Sequence, residues 1–269
     1  MREITTEEAK ALQLEMMDAI HDYCVANGIT YFLFGGTAIG AVRHGGFIPW
    51  DDDIDIAMPR ESYDRFCKSF KHPHYRVIDW DSCPDYPFGF MKVSDDRQQV
   101  TGHYSAYADS IYKKNRIGLF IDIFPIDGVS ESAFRRKWTL KILTWTIFVG
   151  RQRNAPLFVT KSVGGILSRL FCKLSPMPFP VRKWIEKTIM YRHPERTSLV
   201  CGLEGIDLSK DIFPRECFEE AMDIAFEGRT YKIMKLYDPY LKIAFGDYMT
   251  PPPVEKRVAH HEFTAYWKD

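Results

Sequence analysis

Residues 34–60 read FGGTAIGAVRHGGFIPWDDDIDIAMPR, and the order of elements in this stretch decides the fold. A glycine pair, Gly35-Gly36, stands ahead of a short helical run; a loop follows, then an acidic strand. Four aspartates (Asp51, Asp52, Asp53 and Asp55) fall within five residues. Like-charge repulsion and poor strand propensity oppose a strand there, while Ile54, Ile56 and Met58 ask for one. Such a local conflict marks a functional site, where something outside the chain compensates. With a strand period of two, Asp53 and Asp55 share one face and the isoleucines take the other. Two carboxylates on one face can hold a hard divalent cation, and a donor set of oxygens alone favours Mg2+ or Mn2+ over Zn2+. The plainer alternative is a solvated acidic turn, which the apolar residues of the strand disfavour.

Competing motifs fail letter by letter. Asp51, Asp53 and Asp55 fit the first ligand positions of an EF-hand loop, but Ile56 stands where its glycine belongs and Ser62 where its glutamate belongs. A phosphate loop starting at Gly40 fails because Gly46 replaces the lysine, and a dinucleotide fingerprint fails because Thr37 replaces the second glycine.

The chain has 269 residues, 45% of them hydrophobic and 14% aromatic, enough for one large domain or a core with an added subdomain. Six scattered cysteines without a CxxC pair suggest neither a disulfide framework nor a zinc site, and point to a reducing compartment. The N-terminus lacks a basic-then-apolar signal pattern, and no apolar run reaches the ~18 residues of a membrane span. The expectation is a soluble or peripheral protein.

Residues 6–27 predict an amphipathic helix with Leu12, Met16, Ile20 and Tyr23 on one face, Thr5 and Glu8 in capping-box spacing and Gly28 as its stop. Tyr31 to Phe34 reads as a buried strand leading into Gly35-Gly36, where bare α-carbons let backbone N–H groups approach a phosphate. Arg43 and His44 close the next helix, as substrate contacts or as solvated positive charge at its C-terminus. Pro59 starts a helix through about Lys71. Strands are expected at Tyr75–Asp79 and Phe88–Val93, the latter placing Lys92 beside Phe88 and Phe90, to meet a phosphate or to snorkel to solvent. Gln98 to Arg116 reads as a loop over the site. In GLFIDIFPID, residues 118–127, Asp122 lies in an apolar strand where burial penalises it unless it is paired or metal-bound; Asp127-Gly128 reads as a turn.

Composition then shifts. Residues 134–193 hold thirteen lysines and arginines against one acid, Glu186, so a formally neutral chain is split into a basic segment and an acidic remainder. Helices are expected at Trp138–Val149, Leu157–Leu174 and Val181–Tyr191, broken at Asn154-Ala155-Pro156 and at Ser175–Pro178. Phe134, Trp138, Trp145, Phe148, Phe171 and Trp184 lie within this segment and are expected to be exposed. Two readings stand: peripheral contact with an anionic membrane, or a positive face that guides a phosphorylated acceptor.

A strand ending in a glycine pair, a helix, and a strand carrying Asp-x-Asp together resemble the nucleotidyltransferase superfamily. More closely, GGTAIGAVRHGGFIPWDDDIDIAMPR, the GLFIDIFPID strand and the C-terminal FEG, YLKIAFGDYM and PP runs resemble the LicD family, to which bacterial phosphocholine transferases and fukutin-related proteins belong. Phe245 and Met234 depart from the family wording, which expects tyrosine and proline. The resemblance implies an α/β fold: a nucleotidyltransferase-type mixed sheet with flanking helices and an attached basic helical subdomain. Residues 1–133 would form the core, 134–193 the basic subdomain, and 194–269 would complete the core. It implies metal-dependent transfer of a phospho-alcohol, foremost phosphocholine from CDP-choline, onto a glycan hydroxyl, in teichoic acid or lipopolysaccharide decoration. The acceptor can be lipid-linked, and the place of action is the cytoplasm or the inner face of the membrane; no nucleic acid is implied. Asp53, Asp55 and Asp122 become catalytic and metal-binding. Gly35, Gly36, Thr37, Arg43, His44, Trp50, Asp51, Asp52, Lys92, His260 and His261 become substrate-binding positions. Choline requires an aromatic cage, with Trp50, Trp80, Tyr104 and Tyr107 as candidates. Nucleotidyl transfer from a nucleoside triphosphate and a catalytically silent glycan-assembly or membrane scaffold are the alternatives, and intact Asp53, Asp55 and Asp122 disfavour the second.

Overall fold

The computed structural model describes residues 2–83, 86, 88–102, 112–154, 157, 162–174, 184, 196–202, 211–257 and 263–268. Its elements begin with α1 (Thr6–Asn27), β1 (Phe32–Leu33), α2 (Gly35–His44), β2 (Asp55–Pro59), α3 (Arg60–Ser69), β3 (Tyr75–Ile78), β4 (Met91–Asp95), β5 (Gln98–Gly102) and β6 (Phe120–Val129). Then come α4 (Ala133–Asn154), α5 (Val163–Leu174), β7 (Leu199–Gly202), β8 (Ile212–Pro214), β9 (Ala221–Phe226), β10 (Arg229–Met234), α6 (Tyr237–Phe245) and β11 (Phe263–Trp267).

α1 forms where its caps predict. Thr5 Oγ1 accepts the Glu8 N–H at 3.2 Å, and Gly28 closes the helix with φ 60°. Its Met16, Met17 and Ile20 pack with Leu33, Ile54, Ile56, Met58, Ile121 and Ile123 against one face of a seven-stranded mixed sheet. The sheet runs β1-β2-β6-β4-β3, and β7 and β8 extend it from β6. Only the β2–β6 pair is parallel among the described strands. The opposite face carries Phe32, Phe34, Ala57, Phe124, Ile126, Phe213 and Tyr240, so the sheet is buried on both sides and β6 is buried along its whole length.

β6 organises the sheet because β4 and β7 share one of its edges in succession. Pro125 sits at the handover: β4 ends opposite Ile123 and β7 begins opposite Ile126, so a missing N–H costs that edge no rung. Two expectations change here. Asp127-Gly128 is strand, paired with Cys201 and Val200 of β7, and Gln98–Gly102 is a strand paired with β11. In both cases the partner is remote in sequence, so local turn or loop chemistry loses to pairing. The β9–β10 hairpin turns at Glu227-Gly228, both with positive φ (51° and 72°), the geometry of a tight primed turn.

In the basic segment, α4 starts earlier than expected and runs to Asn154, while α5 starts only at Val163. The expected helix at 181–191 lies outside the described residues apart from Trp184. Among the described residues no helix is long and apolar enough to cross a membrane.

Candidate active site

Three local devices set the acidic stretch in place. The first is the glycine pair. Gly35 takes φ 54° and its N–H donates to the Tyr240 hydroxyl at 3.1 Å. A β carbon on Gly36 would lie 2.8 Å from Asp51 Oδ2, so the bare α-carbon makes room for that carboxylate beside the first turn of α2, the end of a helix that favours negative charge. The second device is Thr37, whose Oγ1 accepts the Asp55 N–H at 2.8 Å, while the Asp55 carbonyl accepts from Phe34 N–H at 3.0 Å. Both sides of the residue that opens β2 are thereby clamped. The third is Gln13 of α1, which donates from Nε2 to the Asp52 carbonyl at 3.0 Å. With the backbone held this way, oxygens of Asp51, Asp52 and Asp53 come within 4.8 Å of one another. Asp53 and Asp55 are half-buried and alternate with fully buried Ile54 and Ile56.

Asp122 enters from β6. In the sheet register it lies directly beside Asp55 of β2 on one side and Lys92 of β4 on the other. Lys92 Nζ pairs with Asp122 Oδ1 at 2.5 Å and sits 3.6 Å from the centre of the Phe120 ring, with Phe90 and Phe88 at 5.4 and 5.6 Å. Both side chains are buried. The lysine therefore does not snorkel; the neighbouring carboxylate and the ring faces compensate its charge. Tyr112, buried nearby, has its hydroxyl pushed well above the usual range by burial, with Asp122 and Asp53 adding to the rise. Tyr112 falls in the stretch read from sequence as a loop over the site, but its burial was not marked there.

A cleft of about 580 Å³ opens in front of these carboxylates, with Gly36, Asp51, Asp53 and Asp55 on one side. The opposite side comes from Tyr248, Asp247 and Thr250, in the run that follows α6. Arg43 bridges the two: Nη1 donates to the Tyr248 carbonyl at 2.6 Å and Nε to His44 Nε2 at 2.9 Å. Arg257 donates to the Pro252 carbonyl at 2.8 Å and lies over the Trp50 ring at 5.2 Å. Burial, then repulsion from Arg257, lowers the Arg43 guanidinium from its ordinary value; burial and Arg43 lower His44 too, which suits an imidazole nitrogen that accepts. Two arginines are thus held near each other despite their repulsion, each by backbone carbonyls.

Of the expected site residues, Gly36, Arg43, Trp50, Asp51, Asp53 and Asp55 line this cleft. Gly35, Thr37, Asp52 and His44 adjoin it, and Lys92 and Asp122 form the buried pair beside Asp55. Trp80 lines a separate cavity of about 150 Å³ next to Arg60. His260, His261, Tyr104 and Tyr107 lie outside the described residues.

The segment that builds the carboxylate wall lies within a match to a known family. A family model described as LicD/FKTN/FKRP, nucleotidyltransferase domain, matches residues 28–149. Over 283 aligned residues, covering 99% of each chain, the protein is 31% identical to the lipopolysaccharide cholinephosphotransferase LicD of Haemophilus influenzae. The chain belongs to the LicD family. Shorter likenesses are to an uncharacterized protein of Rickettsia typhi, 34% identical over 41% of this chain and 38% of that one, and to the ribitol 5-phosphate transferase FKRP of Homo sapiens and Mus musculus. The latter is 52% identical over 33 residues, 12% of this chain and 7% of the relative. The LicD domain match holds the glycine pair, all four clustered aspartates, Lys92 and Asp122, but not the far wall of the cleft at Asp247, Tyr248 and Thr250. That wall falls in the part spanned by the full-length relative.

Proposed function

We propose that this LicD-family protein transfers a phospho-alcohol, phosphocholine from CDP-choline, onto a hydroxyl of a glycan, in the decoration of teichoic acid or lipopolysaccharide. The reading places it in the cytoplasm, acting on an acceptor that can be lipid-linked at the inner face of the membrane. One observation carries it: Asp51, Asp53 and Asp55 share one cleft with Arg43, whose guanidinium is held by the Tyr248 carbonyl, and a second arginine, Arg257, lies against the Trp50 ring of that cleft. An anionic diphosphate needs both, cations to hold it and a metal to neutralise it. The full-length likeness to a cholinephosphotransferase supports choline as the alcohol. The mixed sheet, with Asp53 and Asp55 at the head of β2 and Asp122 on the adjacent strand, is read as a nucleotidyltransferase-type core.

The donor set of Asp51, Asp52 and Asp53 is all oxygen, with oxygens within 4.8 Å of one another, which fits Mg2+ or Mn2+. Asp53, Asp55 and Asp122 would hold the metal, with Lys92 paired to Asp122. A bound Mg2+ or Mn2+ supplies Lewis-acid neutralisation of the diphosphate and of the departing CMP.

The chain's own residues do the rest. Arg43, Arg257 and the first turn of α2 grip phosphate oxygens. Trp50 already draws one cation, Arg257, to its ring, and the same ring is proposed to meet the choline ammonium, which cannot donate hydrogen bonds. The acceptor oxygen forms a bond to the choline-bearing phosphorus as the bond from that phosphorus to CMP breaks, and a carboxylate of the site accepts the hydroxyl proton. No covalent enzyme intermediate is required.

The test is incubation with a lipopolysaccharide or teichoic acid acceptor, Mg2+ and, separately, CDP-choline, CDP-ribitol, CDP-glycerol and ATP. CMP release with CDP-choline is expected. Pyrophosphate without CMP would replace this reading with nucleotidyl transfer, and no product from any donor would favour a silent scaffold.

A further inference from the structure

The α4–α5 pair breaks the usual rule for surface helices, which turn polar residues outward. α4 buries Leu140, Leu143, Thr146 and Ile147 on one side. On the other, at helical spacing, run Phe134, Trp138, Ile142, Trp145 and Phe148, all exposed, with Phe134 at 72% and Trp138 at 52%. α5 repeats the arrangement: Cys172 is buried, while Val163, Leu167, Leu170, Phe171 and Leu174 are exposed. The two helices pack on each other, and Arg169 of α5 donates to Gln152 of α4 at 3.1 Å. Each therefore keeps an apolar stripe that the described fold leaves open.

Charge identifies the occupant. Residues 133–174 contain nine lysines and arginines and no acid. On α4, Arg135 flanks one edge of the stripe and Lys137 the other, and Lys141 lies within it, its ammonium 5.4 Å from the Trp138 ring. A second copy of the chain would press nine like charges against nine. An anionic bilayer surface instead offers counter-charge for the basic residues and an acyl boundary for the aromatics. Neither helix is long and apolar enough to cross, so the pair can lie on a membrane but not span it.

We infer that the exposed faces of α4 and α5 form a docking surface for an anionic lipid bilayer. Docking itself does not depend on the transfer reading; its purpose, bringing the cleft to a lipid-linked acceptor, rests on that reading.

The experiment is co-sedimentation of the full chain with vesicles of phosphatidylglycerol and phosphatidylethanolamine, and with vesicles of phosphatidylcholine alone. Wild type is expected to pellet with the anionic vesicles and to be released as salt rises. Arg135→Glu/Lys137→Glu/Lys141→Glu is expected to partition at least a hundredfold more weakly, on the order of fivefold for each basic residue. Phe134→Ser/Trp138→Ser is expected to lose binding and the blue shift of tryptophan emission. All five altered side chains are exposed, and circular dichroism checks that the variants fold. Asp55→Asn, expected to be inactive, should pellet like wild type, which separates failure of docking from failure of the transfer reading. Wild type remaining in the supernatant with anionic vesicles would overturn the inference. So would charge variants that pellet undiminished, or a dimer that the serine variants abolish in a protein with no vesicle binding.

Discussion

The cleft around β2 and the α4–α5 pair place side chains against rule in opposite directions. The cleft brings charged groups inward: Lys92 and Asp122 are buried together, and Asp53 and Asp55 are half-buried beside them. The helices turn aromatic and aliphatic groups outward. An inward charge needs a partner supplied by the fold, because desolvation is costly without one, and the partners found come from other strands. An outward apolar face needs a partner outside the fold. The first region thus points to chemistry and the second to a surface.

If buried charge in this protein survives only by pairing, the largest effect should follow from breaking the tightest pair away from the cleft. Arg60 Nε and Nη2 hold both oxygens of Asp127 at 2.7 and 2.5 Å. Asp127→Asn should cost about 3 kcal/mol in urea unfolding, because it breaks the buried bidentate pair and leaves the Arg60 guanidinium with the more exposed Asp64 as a carboxylate partner, while turnover per folded molecule stays near wild type. Unchanged stability would show that the pair is not what holds α3 to β6.

Next, Lys92→Met should lower turnover roughly 10–100-fold, the usual cost of losing a group that orients a metal or catalytic ligand. Asp122→Asn should lose at least as much. Full activity in Lys92→Met, measured as CMP release per folded molecule, would make the Lys92–Asp122 pair purely structural.

A smaller effect is expected from Gly36→Ala. Its new methyl must displace the Asp51 carboxylate, the mobile end of a side chain, so stability should hold while more Mg2+ is needed for half-maximal turnover. An unaltered Mg2+ dependence would remove Asp51 from the site. The smallest effect belongs to the helices: without vesicles, Trp138→Ser should shift stability by less than about 0.5 kcal/mol, against about 2–5 kcal/mol for Leu143→Ala on the buried face of α4. Equal losses would mean that the outward face is packed.

What the sequence made legible was what local rules control. Thr5 and Gly28 bounded α1, Asp53 and Asp55 alternate in burial with Ile54 and Ile56 although the strand itself begins only at Asp55, and charge counting isolated the basic segment. Long-range partners were not legible. Asp127-Gly128 has the letters of a turn, and only β7 and Arg60 keep it in a strand. Lys92 showed its aromatic neighbours through alternation, but its carboxylate partner depends on the β4–β6 register. The far wall of the cleft, at Asp247, Tyr248 and Thr250, is supplied by chain that follows α6, and its GDYM run carried a resemblance without a role. Exposure of the α4 stripe was legible: Phe134, Trp138, Trp145 and Phe148 were expected outward among basic residues, and all four are exposed.

The central claim is that the half-buried carboxylates at the head of β2 are there for catalysis. Its most direct test is CMP release from CDP-choline at saturating Mg2+ by wild type, Asp53→Asn and Asp55→Asn, with thermal unfolding measured on the same samples. Both variants should be inactive yet no less stable than wild type, since each removes one charge from a repelling cluster. Near wild-type CMP release from either folded variant would contradict the account.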